Sequence, residues 1–404
     1  MKTVYVGMSG GVDSSLSAVL LKEQGYHVVG VYMKNWSRDL PGMKCPWASD
    51  LADAKRVAVK LGIDFKVFDV ETDYKQKVVD YMLSEFARGR TPNPDIMCNQ
   101  EIKFKLFYET AMEDGADLIA TGHYARVFND EVAKLAAVGS PLAGGISPED
   151  TPALLKAVDE NKDQTYFLYR ISKEAIEHTI FPIGGMLKPD VKKLAAEKGL
   201  DNAYKKESMG VCFVGEVGME DFLKQYFEEK AGDIIDAETG EKLGMHNGAI
   251  FYSIGQRHGL DLGGGLPYYV VKKDVQKNIV YVSRNLNSKD LWTDELELED
   301  ILIRQAGDPR RAILGWPENG VPPEEAFSEG KSSLGVNFRD RTPKYPRDEP
   351  ACHIQVRLRH RAELIPAVLE DNKLKFEKPV KKPASGQSAV FYDGDICLGG
   401  GIIV

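Results

Sequence analysis

The stretch VYVGMSGGVDSS (4–15) constrains this chain more than any other, because an apolar run breaks at a glycine-rich turn and passes straight into a helical pattern. Leu16, Val19 and Leu20 fall on one helical face, and Gly25 suits the left-handed C-cap position. TVYVG (3–7) therefore reads as a buried strand, and the turn as a strand-to-helix corner. Gly10 and Gly11 let the backbone approach a ligand and turn successive N–H groups inward as an anion nest. The helix start adds its dipole and its own N–H groups. A Walker A loop needs GxxxxGK[ST], but Val12 follows Gly11 and no lysine comes after it. Asp13 repels phosphate directly, so it reads as a helix cap or a magnesium ligand, while Ser9 and Ser14 offer hydroxyls.

The alternation continues downstream. HVVGVYM (27–33) predicts a second strand. Ser49 reads as the N-cap of a helix carrying Leu51, Ala54, Ala58 and Leu61, closed by Gly62. FKVFDV (65–70) is the next strand, followed by helices over 73–88 and 101–114, and DLIATGHYA (117–125) is a strand ending in a Gly-His turn. Strands separated by helices predict a doubly wound parallel sheet, whose ligands sit at the carboxyl ends of the strands. Residues 128–160 read as a surface excursion and 189–199 as a helix. From about 279 the runs are short and β-like, and the Asp393-Gly394 turn marks a hairpin, so a small β-barrel is expected, with 305–350 as an inserted loop. The expected domains are 1–213, 214–278 and 279–404.

A chain of 404 residues has room for two or three domains, and no apolar run is long enough to cross a membrane. The catalytic-looking loop starts at residue 8, which leaves no room for a leader, so a cytoplasmic enzyme without a membrane partner is expected. A net charge of −9 argues against a generally basic nucleic-acid binder but permits a local cationic face. Candidates for that face are Arg257 with His258, Lys205 with Lys206, and Arg357, Arg359, His360 and Arg361, with strand alternation placing the three arginines of VRLRHR together. Five scattered cysteines without CxxC point to neither a disulfide framework nor a thiolate zinc site.

A strand followed by SGGVDS resembles the signature of the PP-loop ATP pyrophosphatases, whose Rossmann-like fold carries enzymes that adenylate an oxygen and release pyrophosphate. TPNPDIMCNQEIKF (91–104), TGHYAR (121–126), KDQTYFL (162–168) and ESMGVCFVG (207–215) stand in this order and together resemble the tRNA-specific 2-thiouridylases. GAIFYSIGQRHGL (248–260) and ASGQSAVFYDGD (384–395) resemble the same family's central domain and C-terminal β-barrel.

The resemblance implies roles for named residues. Gly7, Met8, Ser9, Gly10, Gly11, Val12, Asp13 and Ser14, with Met33 against adenine and Gly122 near the nucleotide, would bind ATP with magnesium. Cys212 would carry persulfide sulfur, received from a donor protein such as a cysteine desulfurase or a sulfur relay carrier. Cys98 would be the second thiol, pairing transiently with Cys212 as a disulfide or attacking the activated base. Asn93, Pro94 and Asp95 would meet the target base, with Asp95 as acid/base or as its orienter. His123, Lys162, Asp163, Gln164, Arg359, His360 and Gln387 would touch tRNA. An iron–sulfur cluster on Asp95, Cys98 and Cys212 is the less favoured alternative. Adenylating ligases such as argininosuccinate synthase or NAD synthetase share the loop but have no use for the two cysteine contexts. A binding module without catalysis has no use for the intact loop.

Overall fold

The computed structural model describes residues 1–39, 45–128, 152–205, 218–263, 265–285, 287–288, 290–304 and 352–404. Cys212, Lys206 and the segment 305–350 lie outside them.

The N-terminal part is a five-stranded parallel sheet built from β1 (Thr3–Gly7), β2 (His27–Lys34), β3 (Asp64–Asp69), β4 (Leu118–Thr121) and, later in the chain, β7 (Thr179–Ile180). The spatial order β3-β2-β1-β4-β7 reverses direction at β1, which puts a topological switch point at the end of the first strand. Helix α1 (Val12–Glu23) packs on the sheet through Leu16, Val19 and Leu21, and α2 (Trp47–Leu61) through Ala54 and Val57. Gly62 ends α2 in the left-handed conformation, as expected. Ser49 does not cap α2: the helix starts two residues earlier, and the Ser49 hydroxyl donates to Pro46 O inside the first turn. Continuous helical runs cover 71–87 and 94–113, with π-helical turns at Lys75–Asp80 and Cys98–Leu106.

Residues 126–155 depart from a simple surface excursion at both ends. β5 (Arg126–Phe128) and β6 (Ala153–Leu155) form an antiparallel pair, and the buried β6 meets the last strand of the barrel at Leu155↔Ile396. The alternation of Ala153–Leu155 is lost in sequence because the strand is apolar on both sides.

The central domain is a four-stranded sheet of β8 (Gly232–Asp236), β9 (Lys242–His246), β10 (Tyr269–Asp274) and β11 (Ile279–Ser283), ordered β10-β11-β8-β9. NIVYVS (278–283), read from sequence as the start of the barrel, pairs instead inside this sheet, where Val280 and Val282 fill its small core. The barrel consists of β12 (Trp292–Ile303), β13 (Cys352–Arg357), β14 (Ile365–Glu370), β15 (Lys373–Lys381), β16 (Ser388–Asp393) and β17 (Ile396–Ile403). The order β12-β15-β14-β13-β16-β17 closes on itself through β12–β17, leaving no free edge. Among the described residues no helix is long and apolar enough to cross a membrane.

Candidate active site

The corner after β1 lies at the carboxyl end of the sheet. Met8 N donates to Val31 O at 2.7 Å, which extends the ladder one residue before the chain turns. Gly10 adopts φ +77°, and a Cβ there would stand 2.5 Å from Asp50 O, so only glycine fits the turn against α2. Within the turn, Ser9 N donates to Ser14 Oγ, and Ser14 Oγ donates to Gly11 O, both at 3.2 Å. Ser15 Oγ also donates to Gly11 O, at 2.9 Å. Ser9 is exposed at the mouth, whereas Met8, Val12 and Ser14 are buried as supports. Gly122 is tight for a packing reason, since a Cβ would stand 2.6 Å from Ser14 N, so the Thr121-Gly122 turn sits directly on the start of α1.

Asp13 is not a helix cap. Gly11 is the N-cap, and both Asp13 carboxylate oxygens accept from Lys188 Nζ at 2.7 Å, with Tyr124 OH donating to Oδ1 at 3.0 Å. A carboxylate held this way is a poor lone anchor for a cation, and among the described residues no group of three or more carboxylates, histidines or cysteines could hold a metal ion. Lys188 opens the helix Lys188–Glu197 and is buried.

A second residue that motif reasoning missed is Asn202, only 8% exposed. Its Nδ2 donates to Gly10 O at 3.0 Å and Ser15 Oγ at 2.9 Å, so it ties the phosphate-type turn to the segment just before 206–217. Lys188 and Asn202 belong to no short motif; the one available signal was the polar pattern around the helix 189–199. Lys205 is not part of a cationic face, because its amine is taken by Asp50 at 2.8 Å and Asp53 at 2.6 Å.

The second centre is the TPNPD turn. Asn93 Oδ1 accepts from Asp95 N at 3.1 Å, and Pro94 occupies the first helical position, so the side chain and the fixed φ together start the helix. Burial pushes the Asp95 carboxyl above the usual carboxylate range, with Lys103 pulling weakly the other way. Cys98 begins the π-helical stretch and is buried in an apolar cluster shared between Trp36, Val79 and Ile102 of the first domain and Phe222, Ile250 and Phe251 of the central one. Met33 packs against this cluster and against the one containing Phe104 and Phe107, and its Cε fills the space beside Gly7. Met33 thus stands between the turn after β1 and the Cys98 helix.

The barrel holds this centre in place. Thr91 N donates to Ser385 O and Gln387 Nε2 donates to Thr91 O, both at 2.7 Å. Gln387, expected at tRNA, has its amide engaged by that backbone. Asp163, also expected at tRNA, is 1% exposed and accepts from Arg357 Nη1 at 2.7 Å, from Ala157 N and from the Thr165 hydroxyl. Both Asp163 and Arg357 are corrections, since neither side chain can reach RNA from the interior. The alternation expected for VRLRHR fails because β13 ends at Arg357, which leaves Arg359 and Arg361 exposed on the following turn.

Gln164 exchanges two 2.8 Å bonds with the Tyr124 backbone, and Lys162 is half-buried beside it. His123 packs on Phe104 and Phe181 with Nδ1 2.8 Å from Thr121 Oγ1, and burial holds it well below the usual histidine range, so it carries no charge for phosphate at neutral pH. His360 packs tilted against Phe167 with centroids 4.5 Å apart and is lowered to about 4, first by burial and then by Arg361. Arg359 is exposed, and its Nη2 stands 3.7 Å from where a Gly255 Cβ would be, on the turn that continues to the exposed Arg257 and His258. These arginines line the seam between barrel and central domain.

Three family models match successive parts of the chain. Residues 2–216 match the tRNA methyl transferase HUP domain, 220–284 the tRNA methyl transferase PRC-barrel domain and 335–403 the aminomethyltransferase beta-barrel domain. The tRNA-specific 2-thiouridylase MnmA of Pediococcus pentosaceus is 39% identical, covering 99% of this chain and 94% of that one. The proteins of the same name from Levilactobacillus brevis and Idiomarina loihiensis are both 41% identical, covering 99% and 100% of this chain and 94% and 96% of theirs.

Proposed function

The chain belongs to the tRNA-specific 2-thiouridylase family of enzymes, and on that premise we propose that it replaces the C2 oxygen of the wobble uridine, position 34 of tRNA, with sulfur at the expense of ATP. The observation that carries this reading is a glycine-built corner after β1 together with a buried thiol and a buried carboxyl at the start of the Cys98 helix. Methyl transfer, the reaction in two of the family-model descriptions, has no need of a phosphate nest. Adenylation does, since it must hold a departing pyrophosphate.

The uracil C2 oxygen attacks the α-phosphorus of ATP, and pyrophosphate leaves into the nest of Ser9–Ser14. Met33 borders the adenine side. The terminal sulfur of a Cys212 persulfide adds to C2, and AMP departs with the original oxygen. The Cys98 thiolate then attacks the Cys212 sulfur, which leaves the transferred sulfur on the base and a Cys98–Cys212 disulfide that a thiol reductant resets. Asp95, whose carboxyl burial pushes upward, orients the base or relays its proton. Arg359 and Arg257 hold the anticodon arm at the domain seam, and a sulfur-donor protein reloads Cys212.

Mass spectrometry of nucleosides tests this: unmodified tRNA is incubated with the protein, ATP, magnesium and a persulfide donor. 2-Thiouridine formed only with ATP is the expected result. ATP cleavage to AMP and pyrophosphate without sulfur in the RNA would keep the adenylating domain and overturn the acceptor.

A further inference from the structure

We infer that a strip of cations seated on aromatic rings, running from the outer face of the central sheet onto the barrel, is a second contact surface for the RNA backbone. The inference rests on tRNA being the substrate. Strand register defines the strip: Tyr269 pairs with Ser283 and Lys272 with Tyr281, so Tyr269, Lys272 and Tyr281 share one face, while Val270, Val280 and Val282 point into the core behind them. Lys272 Nζ lies 5.6 Å from the Tyr281 ring centroid. Lys381 reaches over from the barrel to stand 5.8 Å from the Tyr269 centroid, and its cross-strand partner is Trp292, 42% exposed.

Among the described residues, the cations of this strip stand without carboxylate partners. In the first domain many lysines are neutralised by carboxylates, such as Lys34 by Asp69 and Glu71, Lys60 by Asp201 and Lys198 by Glu23. Among the described residues neither Lys272 nor Lys381 has a carboxylate within 4 Å; each rests on a tyrosine. Glu238 beside the strip accepts from Ser283 Oγ at 3.3 Å. A protein of net charge −9 that binds a polyanion needs such uncompensated cations. The strip complements a phosphate backbone in a way that a peptide or an acidic protein partner with buried hydrophobic anchors would not require.

The test uses the full chain with Lys272→Ala/Lys381→Ala, and with Lys272→Arg/Lys381→Arg as the conservative counterpart. The expected result for the alanine pair is a KM for tRNA raised several-fold with kcat and the KM for ATP unchanged. The slope of log Kd against log salt flattens by roughly 1.5, the loss of about two phosphate contacts, and the arginine pair restores it. An unchanged slope in the alanine pair, with wild type thiolating tRNA normally, would overturn the strip alone. If wild type neither binds nor thiolates tRNA, the substrate reading fails instead.

Discussion

Arg357 Nη1 donates to Asp163 Oδ2 at 2.7 Å, and the pair is buried where the barrel strand β13 meets the KDQT turn of the first domain. A stretch expected from its charges to face RNA is thus the pin between two domains. Removing one partner leaves an uncompensated buried charge. Arg357→Met is expected to lower stability by about 3–5 kcal/mol, and adding Asp163→Leu to recover part of it. Denaturant titrations of both single variants and the double variant measure this, and a double loss equal to the sum of the two single losses would show that the pair is not coupled.

Asp13 and Lys188 form the corresponding pair at the anion corner. Lys188→Met frees Asp13 to repel the ATP phosphates, so AMP and pyrophosphate formation should fall by two orders of magnitude or more. Pyrophosphate release under saturating tRNA is the readout, and near-normal release would remove Lys188 from the site.

Asn202 holds the carbonyl of Gly10 and the hydroxyl of Ser15 from behind the turn. Asn202→Ala should raise the KM for ATP by roughly tenfold, about 1.4 kcal/mol, with little change in the KM for tRNA. Steady-state kinetics with each substrate varied in turn separates the two.

Cys98 is buried in the apolar cluster that also holds Phe222 and Phe251 of the central domain. Alkylation of this thiol should be slow in the RNA-free protein and quicken when tRNA engages the central domain. Peptide mass spectrometry after timed iodoacetamide treatment follows it, and fast alkylation without RNA would contradict the packing.

His360 gives a pH prediction. Its folded value is lowered to about 4 against roughly 6.5 unfolded, first by burial and then by Arg361. Between those values the unfolded chain binds the extra proton, so stability is complete above about 6.5 and declines as pH falls toward 4. His360→Phe should flatten that acid limb, measured as melting temperature against pH from 7 to 4.

Much of this architecture was legible locally. The strand, glycine turn and helix at 3–23, the left-handed Gly62 and the Asp393-Gly394 hairpin each follow from backbone preferences of a few neighbouring residues, so pattern and spacing suffice to place them. The Cys98 helix was legible only over 101–114, whereas Asn93 and Pro94 start it at residue 94. Side-chain charge was less reliable, because whether Asp163, Arg357 and Lys205 meet solvent or a carboxylate depends on partners 152–194 residues away in sequence. The same holds for Asn202 behind Gly10 and Lys188 on Asp13, and for β6 joining the barrel. A short motif records what a backbone can do by itself. The burial of a charge, and so its role, is set by the elements that long-range packing brings against it.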